Sequence, residues 1–215
     1  MPEREIMTLE EVATYLRVSE RTVSDLAQKG QIPAARFGDA WRFTRSEIEQ
    51  WLITDLARQV REARGMAFGL REVLAPERVV FLDATTKTEA LTTLAAALAT
   101  APQIRDLEEL TREILRRETV ASTAIGLGIA VPHVRLPSAR DLVMAVGISR
   151  QGIADYASPD GQPVRIICML VASTDQQEKC LRMLATVGDR LKNEELRASV
   201  LAAPDAHAAF QALTR

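Results

Sequence analysis

Apolar positions in the first fifty residues recur at helical spacing and are interrupted by polar caps and a glycine turn. Leu9, Val12, Ala13 and Leu16 form one stripe, and Thr8 with Glu11 supplies a hydroxyl cap and its reciprocal carboxylate. Val18-Ser19 breaks the stripe, and Ser19 caps a second helix through Ala27 or Gln28, with Val23, Leu26 and Ala27 turned toward the first. Gly30 closes that helix as a left-handed cap. Ala35-Arg36-Phe37, Gly38-Asp39 and Trp41-Arg42-Phe43 alternate as a small hairpin would, and Ser46 caps a third helix carrying Ile48, Trp51 and Leu52. Asp55 to Arg71 has helical content but a mixed face, with Arg58, Arg61, Arg64 and Arg71 among small residues, and is expected to be a linker helix.

From Glu77 the pattern changes. Arg78-Val-Val-Phe-Leu-Asp reads as a strand, and Thr88 to Leu98 as a helix burying Leu91, Leu94, Ala95 and Leu98. Asp106 caps a second helix, Leu107 to Arg116, with Leu110, Ile114 and Leu115 inward. Strands are expected at Ile129 to Pro132, Leu142 to Ile148 and Val164 to Val171, then helices at Asp175 to Leu191 and Glu194 to Leu201. The alternation predicts an α/β (α+β) fold: a C-terminal mixed sheet covered by helices on both faces, preceded by a small helical unit with a hairpin.

A length of 215 residues with 47% apolar content suits two domains. Lys plus Arg is 27 against 29 for Asp plus Glu, so the whole chain carries no field that points to nucleic acid or membrane. Residues 1–54 hold seven basic and nine acidic side chains, a net of 7 − 9 = −2, so any DNA contact must be local and weak per protomer. The longest apolar run, Val164 to Ala172, is far below membrane-spanning length and contains Arg165, so no membrane insertion is expected. Two cysteines, Cys168 and Cys180, without a CxxC pair, and a charged start read as a reduced, cytoplasmic protein. With no metal constellation, Walker loop or dinucleotide fingerprint in the sequence, no metal or cofactor is expected.

The chemistry concentrates in RRETVASTAIGLGIAVPHVR, Arg116 through Arg135. Gly126 and Gly128 admit close backbone approach, and the short apolar run Ile129-Ala-Val ends at Pro132, which sets the direction in which His133 leaves the strand edge. Such a run presents a rigid imidazole. It closely resembles the phosphorylation-site signature of the mannitol, fructose and nitrogen-regulatory IIA domains of the bacterial phosphotransferase system. GIADYASPDGQPVRIICMLVAS, Gly152 to Ser173, resembles a second stretch of that family, so the likeness covers about residues 73–213.

The resemblance implies that a histidine-containing phosphocarrier protein passes a phosphoryl group to a ring nitrogen of His133, with Arg117 as the phosphate-facing cation. Ser122 and Thr123 would add hydroxyl donors or hold the loop. The chain would then be a phosphohistidine carrier rather than a stand-alone enzyme. Active members carry a second histidine in a His-Leu-x-x-Leu pattern. Here the matching stretch is Cys180-Leu-Arg-Met-Leu, and a thiol cannot reproduce the imidazole's role near neutral pH. The neighbouring Lys179 points elsewhere by helix geometry. Cys168 reads as core and His207 as surface.

Residues 7–52, MTLEEVATYLRVSERTVSDLAQKGQIPAARFGDAWRFTRSEIEQWL, resemble the excisionase-type winged helix-turn-helix domain. That likeness implies DNA contacts from Arg21, Thr22, Ser24 and Gln28 on the second helix and from Arg36 and Arg42 on the wing. The other reading is a protein-docking or dimerising module. The expected division is residues 1–54 for this module, 55–75 for the linker and 76–215 for the IIA domain. Together they suggest a cytoplasmic regulator in which the phosphorylation of His133 alters DNA binding, with a homodimer as the expected binding form. The alternatives are a transport component passing phosphate to a sugar permease, and a protein-binding regulator that contacts kinases or transporters.

Overall fold

The computed structural model describes residues 6–16, 18–52 and 69–215. The expected linker helix falls mostly outside the described residues, and within them Leu70–Glu72 forms a single 3-10 turn.

The N-terminal module runs β1 (Ile6–Met7), α1 (Leu9–Leu16), α2 (Glu20–Gln28), β2 (Ala35–Phe37), β3 (Ala40–Thr44) and α3 (Arg45–Trp51). Both predicted caps form: Glu11 N donates to Thr8 Oγ1 at 3.2 Å, and Thr22 N donates to Ser19 Oγ at 3.1 Å. The strands order β1-β3-β2, and Val12, Val23, Phe43, Ile48 and Trp51 close the core. The third helix departs from expectation, since it starts at Arg45 behind Thr44 rather than behind Ser46. Pairing of Ile6 with Thr44 and of Met7 with Phe43 keeps the chain extended up to Thr44, and the helix begins at the next residue.

The larger unit contains β4 (Val79–Phe81), α4 (Lys87–Leu98), α5 (Leu107–Val120), β5 (Ala124–Gly126), β6 (Ile129–Ala130), β7 (His133–Leu136), β8 (Val143–Ile153), β9 (Val164–Ser173), α6 (Gln177–Leu191), α7 (Glu194–Ala202) and α8 (Ala206–Thr214). Among the described residues the sheet is six-stranded, in the order β4-β8-β9-β6-β5 with β7 also on β9. β8 and β9 are antiparallel, while β4 lies parallel to β8, and β6 and β7 lie parallel to β9. The sheet is buried on both faces, which is why its central strands are apolar almost throughout. Met144, Val146, Ile166, Cys168 and Leu170 face the core shared with α6, α7 and α8. Val143, Ala145, Ile167, Met169 and Val171 face the core shared with α4 and α5.

Gly147 on β8 is needed for packing, because a Cβ there would lie 2.6 Å from Leu82 Cδ1 and 3.1 Å from Leu94 Cδ1. Both leucines are buried, so neither can swing away. Gly147→Ala is expected to cost about 1–3 kcal/mol through overpacking. Thermal unfolding checks this, and an unchanged Tm would mean that α4 can slide off the sheet.

Candidate phosphoryl-transfer site

His133 does not leave the strand edge as expected; it opens β7. Ile129 pairs with Ile166 and His133 with Leu170, the same offset, so β6 and β7 are one strand interrupted at Val131-Pro132. Proline has no N–H to give the ladder there. Its carbonyl still accepts from Leu170 N at 2.9 Å, and the ladder resumes. Upstream, Gly126, Leu127 and Gly128 all take left-handed φ values, 87°, 58° and 70°, in the turn that joins β5 to β6. A Cβ on Gly128 would meet Pro163 O at 3.3 Å, so the close approach read from the sequence is real and lies against the loop before β9.

The imidazole is fixed by one bond. His133 Nδ1 lies 2.9 Å from the carbonyl oxygen of Val131. A carbonyl only accepts, so Nδ1 carries the proton and donates, and Nε2 keeps its lone pair. Burial is the main influence on this ring and lowers its pKa below the ordinary 6.5, with Arg117 and Arg135 acting in the same direction and the Glu49 carboxylate and the Val131 bond opposing. The sign favours neutral imidazole at pH 7.

His133 lines a cavity of about 610 Å³ whose walls come from both modules. The larger unit supplies Arg116, Arg117 and Ala121 from the end of α5, Arg135 from β7, and Gln177, Cys180 and Leu181 from α6; the N-terminal module supplies Tyr15, Arg45, Ser46 and Glu49. Helix α5 continues four residues past the expected Arg116, which places Arg117 on its last turn. Arg117 Nη1 donates to Ala121 O at 3.0 Å, and Nη2 forms an ion pair with Glu49, a buried carboxylate on α3. Glu49 also accepts from Arg45 Nε at 3.2 Å and from Tyr15 OH at 3.4 Å. Gln177 bridges the modules a second time, accepting from Arg135 Nη1 at 2.7 Å and donating to the backbone carbonyl of Tyr15.

The other expected site residues fall into three groups. Cys180 lines the cavity at the start of α6, and burial pushes its thiol up to about 12, so it stays protonated and unreactive. Cys168 is a core residue whose thiol burial also pushes up to about 12. Lys179 points away, to Asp141 Oδ1 at 2.6 Å. Ser122 and Thr123 are absent from the cavity wall. Ser122 Oγ accepts from Ala124 N at 3.3 Å, and buried Thr123 donates to Glu118 Oε2 at 2.7 Å beside Tyr156 OH at 3.0 Å. The hydroxyls therefore hold the loop rather than face the imidazole. His207 is exposed on α8 and sits 2.8 Å from Gln211 Nε2.

The residues expected to touch DNA lie apart from this cavity. Arg21, Thr22 and Gln28 are exposed along α2 and Ser24 is half-buried; Arg36 is exposed on the wing, stacked 5.5 Å above the Trp41 ring. Arg42 is held back on the wing by a 2.9 Å bond to Trp41 O. Sequence reasoning missed Tyr15, Arg45, Glu49, Gln177 and the buried Glu118. Tyr15, Glu49 and Gln177 bond across the modules, and Arg45 lines the shared cavity while pairing with Glu49 on its own helix, so no periodicity marks their role, whereas Glu118 shares the inward spacing of Leu110 and Ile114 on α5.

A parallel-antiparallel mixed sheet between two helical layers is the IIA-type fold, and here a strand-mounted imidazole and a helix-end arginine line one cavity. The chain belongs to the family described as "Phosphoenolpyruvate-dependent sugar phosphotransferase system, EIIA 2", matched over residues 72–215, and residues 6–54 match a helix-turn-helix domain. A nitrogen regulatory protein of Bradyrhizobium diazoefficiens is 31% identical over 67% of this chain and 94% of its own length. The fructose-specific EIIABC component of Bacillus subtilis is 32% identical over 57% of this chain, which spans only 19% of that larger protein. In structure, the nitrogen regulatory protein IIA-Ntr of Neisseria meningitidis superimposes with a TM-score of 0.61 at 21% identity, over 66% of this chain and 97% of its own. No helix of the described residues is long and apolar enough to cross a membrane.

Proposed function

We propose that this protein is a cytoplasmic regulator of the nitrogen type that accepts a phosphoryl group on His133 Nε2 from a phosphocarrier protein and couples it to DNA binding by the N-terminal module. The observation that carries the reading is the 2.9 Å contact between His133 Nδ1 and Val131 O: a carbonyl can only accept, so Nδ1 holds the proton and Nε2 is the ring nitrogen left as nucleophile on a residue that lines the arginine-lined cavity. The Nε2 lone pair attacks phosphorus, the P–N bond to the donor histidine breaks, and the donor ring leaves with that electron pair. His133 Nδ1 keeps its proton throughout. Phosphoryl transfer needs mainly positioning and charge compensation, and Arg117 offers both.

Onward transfer to a sugar permease is the weaker reading, because the position of the family's second histidine holds a protonated, buried thiol. The exposed α2 face and the arginines of the wing support DNA as the output partner, and a dimer would compensate for the weak basicity of each module. Regulation of a kinase or transporter by contact is distinguished by lack of DNA affinity at low salt.

The test is incubation with phosphoenolpyruvate, the general phosphotransferase enzyme and the phosphocarrier, followed by intact-mass measurement and phosphorus NMR. A single phosphate-sized gain, acid-labile and attached to Nε2, is expected. No gain beside a phosphorylated control protein would sink the proposal.

A further inference from the structure

The N-terminal module is seated directly over the pocket that holds His133. Four of its side chains, Tyr15, Arg45, Ser46 and Glu49, line the same cavity, and Leu181 of α6 packs against both its core and that of the larger unit. Of these contacts the most informative is chemical. The guanidinium best placed to meet a phosphoryl group, that of Arg117, is already engaged by a buried carboxylate from the other module.

We propose that Glu49 is a built-in stand-in for the phosphoryl group: it holds Arg117 while His133 is unmodified, and phosphorylation of His133 displaces it and releases the N-terminal module from its seat. The inference rests on the reading of His133 as the acceptor. It adds a partner for the pocket, the chain's own α1 and α3, and a residue that decides whether that partner is bound.

The competition follows from charge and geometry. A carboxylate brings one negative charge and two acceptor oxygens, whereas a phosphoryl group at neutral pH brings about −1.5 to −2 and three. Arginine's planar fork pairs with either, so one guanidinium is contested by two anions of unequal charge. The phosphoryl group then also repels Glu49 at close range, in a site where water screens poorly. Arg45 and Tyr15 remain with Glu49 on the N-terminal side, so the displaced carboxylate keeps its own partners when the modules part. The recognition-type helix α2 is exposed already in the seated state. Release would therefore change the freedom and pairing of the module rather than uncover its surface.

Coupling between two sites is reciprocal. If the phosphoryl group disfavours seating, seating disfavours phosphorylation by the same factor, and it also stands between His133 and any protein donor. Glu49→Gln keeps the shape but drops the charge, and should both loosen the seat and raise the equilibrium level of phosphorylation.

Spin labels on Lys29→Cys and Glu195→Cys read the separation of the two units, since both positions are exposed and the native Cys168 and Cys180 are buried. The unmodified protein should give one narrow distance. The phosphorylated protein, the unmodified Glu49→Gln variant and the unmodified Leu181→Asp variant should each give a broad, longer distribution. The phosphorylation equilibrium against the carrier should shift in Glu49→Gln by roughly 5- to 150-fold, the usual range for coupled sites. Leu181→Asp acts from the opposite side of the seat, so a folding defect in the N-terminal module cannot mimic the result. A wild-type protein that gains phosphate by mass yet keeps the narrow distance overturns the stand-in while leaving the acceptor role intact. Failure of wild type and Glu49→Gln alike to gain phosphate overturns the acceptor role and, with it, the competition.

Discussion

His133→Ala is expected to take up no phosphoryl group under conditions that fully phosphorylate the wild type, and Arg117→Gln to take it up roughly 10²- to 10³-fold more slowly, as when a preorganised donor is removed from an anionic transition state. The two variants fail for different reasons. Alanine removes the Nε2 lone pair itself, while glutamine leaves the nucleophile and its Val131 bond in place and removes the cation at the end of α5. Arg117→Lys should recover only part of the loss. An ammonium is a point charge and cannot hold Ala121 O with one nitrogen while meeting an oxyanion with the other. Time courses of intact mass separate these cases. Uptake by His133→Ala would move the acceptor elsewhere, with His207 the remaining histidine to test. Equal rates for Arg117→Gln and wild type would reduce Arg117 to an anchor for the N-terminal module.

Much of this site was legible in the sequence because it is local. The imidazole, the proline before it and the two glycines occupy eight consecutive residues, Gly126 to His133, and a strand interrupted by proline is a covalent property of that stretch. The buried sheet was legible for a similar reason, since only strands covered on both faces run as continuously apolar as Val164 to Val171. β5 and β7 were not, being three and four residues long and lacking a full period of alternation. The seat of the N-terminal module was invisible. Glu49 looks like any polar position between Ile48 and Trp51, and its partner Arg117 lies 68 residues further along. Helix α5 runs on to Val120 rather than ending at Arg116, and Glu118 on the added turn is buried. Its spacing from Leu110 and Ile114 points inward, but a buried carboxylate runs against the usual composition of a core until its partners are known.

Glu118 provides the second large effect. Its carboxylate accepts from Thr123 N at 3.1 Å and from Thr123 Oγ1 at 2.7 Å, Tyr156 OH closes the network, and Lys87 Nζ stands 3.9 Å away over the Tyr156 ring. These bonds tie the end of α5, with the neighbouring Arg117, to the loop that leads into β5. Glu118→Ala would strand a buried N–H and a buried hydroxyl, and should cost about 2–4 kcal/mol given the penalty for orphaned buried donors. Burial, the leading influence, raises the Glu118 pKa above its ordinary 4.5 against the opposing bonds from Thr123 and the charges of Lys87 and Arg117. A raised folded-state pKa means that the native protein binds the extra proton. Its contribution to stability is therefore complete below about 4.5 and is lost as pH rises through the higher native value. Glu118→Gln never ionises and lacks that slope. Its deficit relative to wild type should accordingly shrink between pH 4 and 7, and the deficit of Glu118→Ala, which cannot ionise either, should shrink by the same amount while remaining the larger of the two throughout. Urea unfolding of the three proteins at several pH values measures both quantities. A constant gap between wild type and glutamine would show that Lys87 and Arg117 cancel the cost of burying the charge, leaving Glu118 ionised in both states.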